Sequence, residues 1–192
     1  MYAELLGDAT LYEILQWVDE DLAAQARSAG CACGGRLHSA VYPRKPRGGP
    51  AGLGSGYESR LSYCCAEQGC RRRTTPPSVR FLGRKVYLGA VVTLVSALRQ
   101  GPNATRVRVL QDLFGVGART LRRWRQWWQK IFAEGSFWRA ARGRFMPAVG
   151  AHELPGAVAE RFGAHIPDGV CRLLRFVSPI STDSCVLLGG GF

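Results

Sequence analysis

The sequence predicts an α+β fold that is mainly α, with an N-terminal amphipathic helix, a small cysteine-rich ribbon and a three-helix unit. Three observations predict these parts. Apolar residues recur at helical spacing in residues 2–27. Two cysteine groups, at residues 31–33 and 64–70, flank two strand-like runs with a Pro/Gly-rich loop between them. Residues 106–130 have the pattern of two helices joined by a Gly-Val-Gly turn.

The charge of the chain favours a polyanionic partner. The 192 residues carry a formal net charge of +12 at pH 7, and the pI is about 10.0. Bases outnumber acids eleven to two in residues 34–85 and ten to two in residues 106–144, whereas residues 1–30 carry six acids and one base. Two basic parts therefore follow an acidic one, which favours nucleic acid as the partner first and an anionic membrane surface second.

The first segment, residues 1–29, is predicted to be an acidic amphipathic helix. Its wide apolar face includes Leu11, Leu15 and Leu22, and carboxylates occupy the polar side. We expect this helix to pack on its own protein, while pairing with another chain, including a homodimer, stays open. Residues 1–20 hold acids where a signal peptide has a basic start and an apolar core, so we expect no signal peptide.

Residues 30–81 are predicted to form a zinc ribbon with a basic loop. Zinc binds thiolates tetrahedrally, and the turns at the two ends of a hairpin can supply two thiolates each. The expected ligands of a structural Zn²⁺ ion are Cys31, Cys33, Cys65 and Cys70. Adjacent strand residues point to opposite faces, so only one residue of the Cys64-Cys65 pair is expected to bind, and Cys65 gives the tighter turn. Replacement of a ligand by Cys64 or His38 stays open.

Two short basic runs in this segment are candidate DNA contacts. Prolines keep the loop over residues 43–50 extended, so its cations can follow a phosphate backbone or enter a minor groove. A solvated, flexible loop is the alternative. The second run follows the last cysteine of the ribbon and makes a natural phosphate-contacting edge. The candidate contacts in the two runs are Arg44, Lys45, Arg47, Arg71, Arg72 and Arg73.

Residues 82–134 are predicted to form a three-helix helix-turn-helix unit that binds DNA. The first helix is expected over residues 84–100, with an inward apolar face that runs from Val86 to Leu98. Asn103 is a candidate N-cap of the second helix, because its side-chain oxygen can accept an unpaired backbone N–H of the first turn.

The last two helices of the unit carry the candidate DNA-reading surface. Gly115 lies where the second helix must end, in the left-handed conformation that glycine tolerates. The third helix is expected over residues 118–131, with a buried stripe that consists of Leu121, Trp124, Trp128 and Ile131. The start of this helix reaches base edges in a helix-turn-helix, although an arginine-rich face that is only solvated is the alternative. The candidate contacts are Arg119, Arg122, Arg123 and Arg125.

The order of these parts resembles the N-terminal DNA-binding module of insertion-sequence transposases. The matching features are the four cysteines, residues 71–75, the Gly-Val-Gly turn at residues 115–117 and residues 120–128. The first cysteine pair, C-x-C, departs from the usual C-x2-C. The resemblance implies that the chain binds double-stranded DNA as a short accessory or regulatory factor of a mobile element. A separate transposase or recombinase is then a further candidate partner.

No catalytic residue is predicted. Strand transfer needs three carboxylates that hold two metal ions, and the acids after residue 135 are scattered. We therefore expect a cytoplasmic, nucleoid-associated binding protein and not an enzyme, with no membrane partner, since the most apolar window is too short to span a bilayer. The alternative function is an RNA- or protein-interaction zinc module without sequence-specific DNA binding. Residues 135–192 are predicted to be a basic extension with short helices over residues 154–162 and 170–176.

Overall fold

The computed structural model describes residues 2–83, 85–98 and 104–182, and its fold is α+β and mainly α. The predicted N-cap Asn103 lies outside those residues, as do both ends of the helix predicted over residues 84–100. The α-helices are α1 (Tyr2–Gly7), α2 (Ala9–Ala29), α3 (Gly89–Ser96), α4 (Ala104–Phe114), α5 (Ala118–Gln126), α6 (Ser136–Ala141), α7 (Gly156–Arg161) and α8 (Pro167–Val177).

The strands are short and antiparallel, and they occupy the cysteine-rich segment. They are β1 (Leu37–Ser39), β2 (Tyr42–Pro43), β3 (Ser59–Arg60), β4 (Tyr63–Cys65) and β5 (Arg73–Thr74). One sheet has the order β1-β4-β5, and a second sheet consists of β2 and β3. Single 3₁₀ turns form at Ser55–Glu58, Arg142–Arg144, Ala151–Glu153 and Ser178–Ser181. The two strand-like runs of the sequence therefore pair as a hairpin, β1 with β4.

One main hydrophobic core includes residues from all four predicted segments, from Leu5 to Ile180. Helix α3 contacts α1, α5, α7 and α8, and all eight of its residues are buried. Its sequence, GAVVTLVS, contains no charged side chain, and a helix that is apolar on every face is stable when other elements enclose it. The division into four segments stays a prediction, and the core joins parts of each of them.

Helix α3 begins at Gly89, later than the sequence predicts. The backbone N–H of Arg47 donates to the carbonyl of Val86 at 2.9 Å, and the N–H of Leu88 donates to the carbonyl of Arg47 at 3.0 Å. These bonds hold residues 86–88 in strand-like pairing with the basic loop, so a helix cannot include them. Val86, which was expected to face inward, is consequently 53% exposed.

A buried ion pair joins α2 to the segment before α3. The Nε of Arg80 lies 2.8 Å from Oδ2 of Asp19, and both side chains are almost fully buried. The same carboxylate accepts hydrogen bonds from the hydroxyl of Ser78 and the N–H of Val79, each at 2.6 Å. The N–H of Ser78 donates to Oγ of Ser181 at 2.7 Å. The cluster thus connects an N-terminal helix, the chain after the ribbon and the C-terminal 3₁₀ turn.

Helices α4 and α5 are joined by a three-residue turn. Gly115 has φ +65°, the left-handed conformation expected of it. Leu110 and Phe114 of α4 are buried in the main core, and Val116 within the turn is 1% exposed. The turn is therefore anchored by an apolar side chain as well as by the two helices.

The predicted buried stripe of α5 is correct at Leu121, Trp124 and Trp128 and wrong at Ile131. Helix α5 continues directly into a π-helix over Trp127–Phe132. A π-helix contains more residues per turn than an α-helix, so side chains after Trp128 reach the core later than the α-helical spacing predicts. Phe132 is buried at 5% exposure, and Ile131 is 38% exposed.

The C-terminal part packs on the core through aromatic side chains. The ring centroid of Phe145 lies 5.5 Å from that of Trp138 and 5.6 Å from that of Phe176. Phe162 lies 5.2 Å from Phe176, which joins α7 to α8. Both of these helices fall close to their predicted ranges. The described residues after α5 are therefore part of the folded body.

Candidate metal centre and basic surface

Two tight turns bring four cysteines to one end of the β1-β4 hairpin. In the first turn, the N–H of Gly34 donates to the carbonyl of Cys31 at 2.8 Å, and the N–H of Cys31 donates to the carbonyl of Gly35 at 3.1 Å. In the second, the N–H groups of Cys70 and Arg71 both donate to the carbonyl of Glu67 at 3.0 Å. Each turn therefore directs its cysteines inward by backbone hydrogen bonds.

The hairpin sets the two turns beside each other. Leu37 pairs with Cys65 in the antiparallel register, so the strand after the first turn lies against the strand before the second. Leu37, Tyr63 and Cys65 form a small apolar cluster with Cys31 and with Ala23 of α2. The cluster is separate from the main core, and the cysteines supply a large part of it.

The sulfur atoms of Cys31, Cys33, Cys65 and Cys70 all lie within 4.8 Å of one another and could hold a metal ion. The Sγ atoms of Cys31 and Cys70 are 3.7 Å apart, and those of Cys33 and Cys65 are 3.5 Å apart. Four thiolates at about 2.3 Å from one tetrahedral zinc ion lie about 3.8 Å from one another. A disulfide requires about 2.05 Å, so these distances fit a shared ion and not a bridge.

Backbone N–H groups point at three of these sulfurs. Cys31, Cys65 and Cys70 receive them from Cys33, Glu67 and Arg72, each two residues further along the chain. Such donors favour the thiolate form, which is the form that binds a metal.

The four thiols influence one another. The N–H of Cys33 lowers the pKa of the Cys31 thiol to about 7. The N–H of Glu67 lowers the pKa of Cys65, but burial and the neighbouring sulfurs raise it further, to about 12. The Cys31 thiolate therefore forms readily, and Cys65 and Cys70 resist ionisation beside it. A bound cation supplies the charge that lets all four ionise.

The two alternative ligands, Cys64 and His38, lie elsewhere. They pair with each other in the β1-β4 register. Because side chains alternate along a strand, they belong to the sheet face opposite to that of Leu37 and Cys65. The thiol of Cys64 donates to the carbonyl of Arg71 at 3.5 Å, and His38 is exposed. Among the residues that the structure describes, the grouped metal-ligand atoms are the four predicted cysteine sulfurs, without Cys64 or His38.

Gly35 leaves the space that this arrangement needs. A Cβ atom at this position would lie 2.6 Å from Cγ of Glu67, 2.8 Å from Sγ of Cys65 and 3.3 Å from Sγ of Cys33. Real Cβ atoms do not approach a neighbour that closely, so a side chain here would push the two turns apart. Gly35 was not predicted to shape the site, although it directly follows Gly34 of the first turn.

The basic loop is held against the segment before α3. Arg44 donates through Nη2 to the carbonyls of Gly83 and Lys85, at 2.9 and 2.7 Å. Arg47 forms a parallel bridge with Tyr87, while the side chains of Lys45 and Arg47 are exposed. Arg44 thus positions the loop, and the other two cations face solvent.

Arg71, Arg72 and Arg73 lie beside the second cysteine turn, and all three are exposed. Arg71 has φ +45°, so the chain turns sharply directly after Cys70. Arg73 belongs to β5, and its guanidinium carbon lies 5.7 Å from the ring centroid of Tyr42. The run forms a basic edge of the ribbon.

The arginines of α5 divide into two kinds. Arg119, Arg122 and Arg123 are exposed, on the side away from the buried Leu121 and Trp124. Arg125 instead donates through Nη2 to the carbonyl of Leu98, after the end of α3. Three of the four predicted contacts therefore face solvent, and Arg125 also links α5 to α3.

Tyr87 connects the basic loop to the turn before α5. Its hydroxyl donates to the carbonyl of Gly115 at 2.8 Å, and its ring stacks edge-on against Trp124 at 4.9 Å. Because Tyr87 also bridges to Arg47, the loop and the start of α5 share one neighbour. Neither Tyr87 nor Lys85, two residues before it, was predicted to belong to this surface; Nζ of Lys85 lies 3.9 Å from the ring centroid of Trp127.

Comparison of the chain with protein-family models, with curated proteins and with solved structures found no match. The resemblance to the DNA-binding module of insertion-sequence transposases therefore stays a prediction from the motifs. Within the described part of the chain, no helix has both the length and the apolar character that a membrane crossing requires.

Proposed function

We propose that the chain is a sequence-selective double-stranded DNA-binding protein with a structural zinc ribbon and a helix-turn-helix. We further propose that it acts as an accessory or regulatory factor of a mobile element, in the cytoplasm at the nucleoid, beside a separate transposase or recombinase. In this proposal the protein binds DNA and does not catalyse a reaction. Pairing as a homodimer would give it two copies of α5, the helix proposed to read bases and called the reading helix below.

The proposal depends most on the exposed side of α5. Arg119, Arg122 and Arg123 project from the first turns of a helix whose opposite side is fixed in the core by Leu121 and Trp124. Rigid placement matters because base readout needs a guanidinium held within hydrogen-bonding distance of guanine O6 and N7. The exposed arginines can therefore be presented to a groove without a change of fold.

Zinc would stabilise the ribbon and present the basic edge of residues 71–73. The ribbon's own apolar cluster is small, so the metal would contribute much of its stability. Cys31, Cys33, Cys65 and Cys70 would each bind the ion through Sγ and leave no open position. A closed set of four thiolates favours a structural role.

The reading helix is tested by comparing single alanine variants on two duplexes, one from the DNA next to the protein's own coding sequence and one scrambled. Arg122→Ala or Arg119→Ala should reduce the preference between the duplexes by about 1–3 kcal/mol, because a bidentate base contact is lost. Arg72→Ala should weaken binding to both duplexes about equally, because a phosphate contact carries no sequence information. If Arg119→Ala and Arg122→Ala each reduce the affinity for both duplexes equally, the assignment of α5 as the helix that reads bases would be wrong.

Arg125→Ala is the matched control on the same helix. Its guanidinium bonds the carbonyl of Leu98, so its loss should lower thermal stability more than the loss of Arg119 or Arg122 does. The preference between the two duplexes should change less. Circular dichroism melting and anisotropy on the same samples separate the two effects.

The alternative, an RNA-binding zinc module, needs aromatic faces open to bases. Tyr63 and Trp138 are buried, Trp127 is covered by the ammonium of Lys85, and Tyr42 is contacted by Arg73. Stacking of single-stranded bases uses exposed aromatic faces. At the ribbon and the helices after it, these contacts favour the DNA proposal over the RNA alternative; the exposed aromatic side chain of Trp17 lies on α2, away from the proposed DNA contacts in sequence.

A further inference from the structure

Lys85 lies next to the reading helix, outside the two basic runs at residues 43–50 and 71–73 and outside α5 itself. Lys85 precedes α3, and its Nζ lies 3.9 Å from the ring centroid of Trp127, directly after α5. The ring face attracts the ammonium and restricts where it can move. The carbonyl of Lys85 is bonded by Arg44 at 2.7 Å, which fixes its backbone as well.

Arg123 is the charged neighbour of this lysine on α5. It lies four residues before Trp127, so the two side chains are on the same side of the helix. Burial and, to a smaller extent, the positive charge of Arg123 together lower the pKa of Lys85 to about 7. The ammonium of Lys85 is therefore held at Trp127, on the helical side that carries Arg123, and Arg119, Arg122 and Arg123 are all exposed.

We propose that Lys85 and Arg123 together hold one phosphate of the DNA backbone, at the edge of the groove that α5 enters. The inference rests on the proposed DNA-binding function and deepens it. A phosphate presents several oxygens, so one group can accept from the ammonium and from the guanidinium at once. Its negative charge would relieve the repulsion between the two cations. The contact fixes the depth and register of α5, while base readout belongs to Arg119 and Arg122.

The test compares Lys85→Gln with Lys130→Gln by fluorescence anisotropy on the locus and scrambled duplexes over a series of salt concentrations. Lys130 is an exposed lysine on the π-helix after α5 and serves as the matched control. Lys85→Gln should weaken binding to both duplexes several-fold. It should also make the slope of log K against log salt shallower by up to about 0.9, the value for one phosphate, because Arg123 alone neutralises that phosphate less completely. Lys130→Gln should leave both quantities unchanged.

A second readout follows the lysine itself. The sequence has three lysines, at positions 45, 85 and 130, so ¹³C-methylated amines give few signals, which Lys→Gln variants assign. Addition of duplex should raise the pKa of Lys85 from its value of about 7, because a phosphate stabilises the ammonium. A merely structural lysine would keep its pKa.

The outcomes separate the two proposals. If the wild-type chain prefers the locus duplex and Lys85→Gln has the salt slope of wild type, or the pKa of Lys85 is unchanged by DNA, the phosphate contact is overturned and the proposed function stands. If the wild-type chain binds no duplex at any salt concentration, both are overturned. Circular dichroism of each variant excludes unfolding as the cause of a loss.

Discussion

Asp19 and Arg80, 61 residues apart in the chain, form an ion pair at 2.8 Å in an almost fully buried setting. Removing one member of a buried pair leaves the other charge without a partner, which costs about 3–5 kcal/mol. Asp19→Ala should therefore lower the free energy of unfolding by about that amount, measured by urea denaturation. Loss of the acceptor for Ser78 and Val79 adds to the effect.

Asp21 on the same helix supplies the control for Asp19. Its carboxylate lies 3.7 Å from Arg175, and both side chains are largely exposed. An exposed pair contributes about 0–1 kcal/mol, so Asp21→Ala should change stability little. Equal effects of the two substitutions would contradict the structural role assigned to the buried pair.

That pair also marks a limit of what the sequence could predict. The 3.6-residue periodicity predicted an acidic polar side for α2 and gave no reason to separate Asp19 from Glu20 or Asp21. The partner of Asp19 lies beyond the ribbon, and local patterns in one sequence do not reveal which distant residues meet. The same holds for Arg44 and Arg125, whose charges indicated DNA contacts while their guanidinium groups bond backbone carbonyls.

The two halves of the cysteine cluster were predictable because the geometry within each turn is local. Ligand spacing within each turn, and strand alternation at Cys64 and Cys65, depend on near neighbours in the chain. The core side of the π-helix was not predictable, since a widened turn moves the buried position from Ile131 to Phe132. Local patterns therefore predicted the candidate metal site better than they predicted the packing around it.

Gly35→Ala should weaken metal binding. The added Cβ would lie 2.8 Å from Sγ of Cys65 and 2.6 Å from Cγ of Glu67, and forcing such a contact costs about 1–3 kcal/mol. Competition with a zinc chelator measures the loss.

Gly69→Ala is the matched control in the second turn, because a Cβ there meets nothing within 4 Å. It should retain the affinity of the wild-type chain for the metal. A Gly35→Ala protein that holds zinc as firmly as Gly69→Ala would mean that the four sulfurs are not gathered as described.

Cys65→Ser should abolish tetrathiolate metal binding. Replacement of one thiolate by a hydroxyl removes a ligand of the proposed site, so a Co²⁺-loaded sample should lose the absorption bands of a four-thiolate tetrahedral centre. Unfolding of the ribbon should accompany the loss, because metal binding and folding are coupled there.

The adjacent Cys64→Ser tests the assignment within the pair. Cys64 donates to a backbone carbonyl and lies outside the sulfur cluster, so this variant should keep one metal ion per chain and the cobalt spectrum. A spectrum that survives in Cys65→Ser and is lost in Cys64→Ser would reverse the ligand assignment.

Tyr87→Phe tests the link between the loop and the turn before α5. The substitution removes the hydrogen bond to the carbonyl of Gly115, which is exposed, so we expect a loss of stability of about 0.5–1 kcal/mol. The ring contact with Trp124 at 4.9 Å is kept. Tyr87→Ala loses both contacts and should destabilise the protein several-fold more in thermal unfolding. Equal effects would show that the ring packing contributes nothing.

Sequence-selective binding of duplex DNA is tested most directly by fluorescence anisotropy of the zinc-loaded chain. The probes are a duplex from the protein's own locus, a scrambled duplex and single-stranded RNA, each measured over a series of salt concentrations. We expect affinity to fall steeply with salt while a preference for the locus duplex persists, because phosphate contacts weaken and base contacts remain. Equal binding to all three probes that disappears at moderate salt, or tighter binding to RNA, would contradict the proposed function.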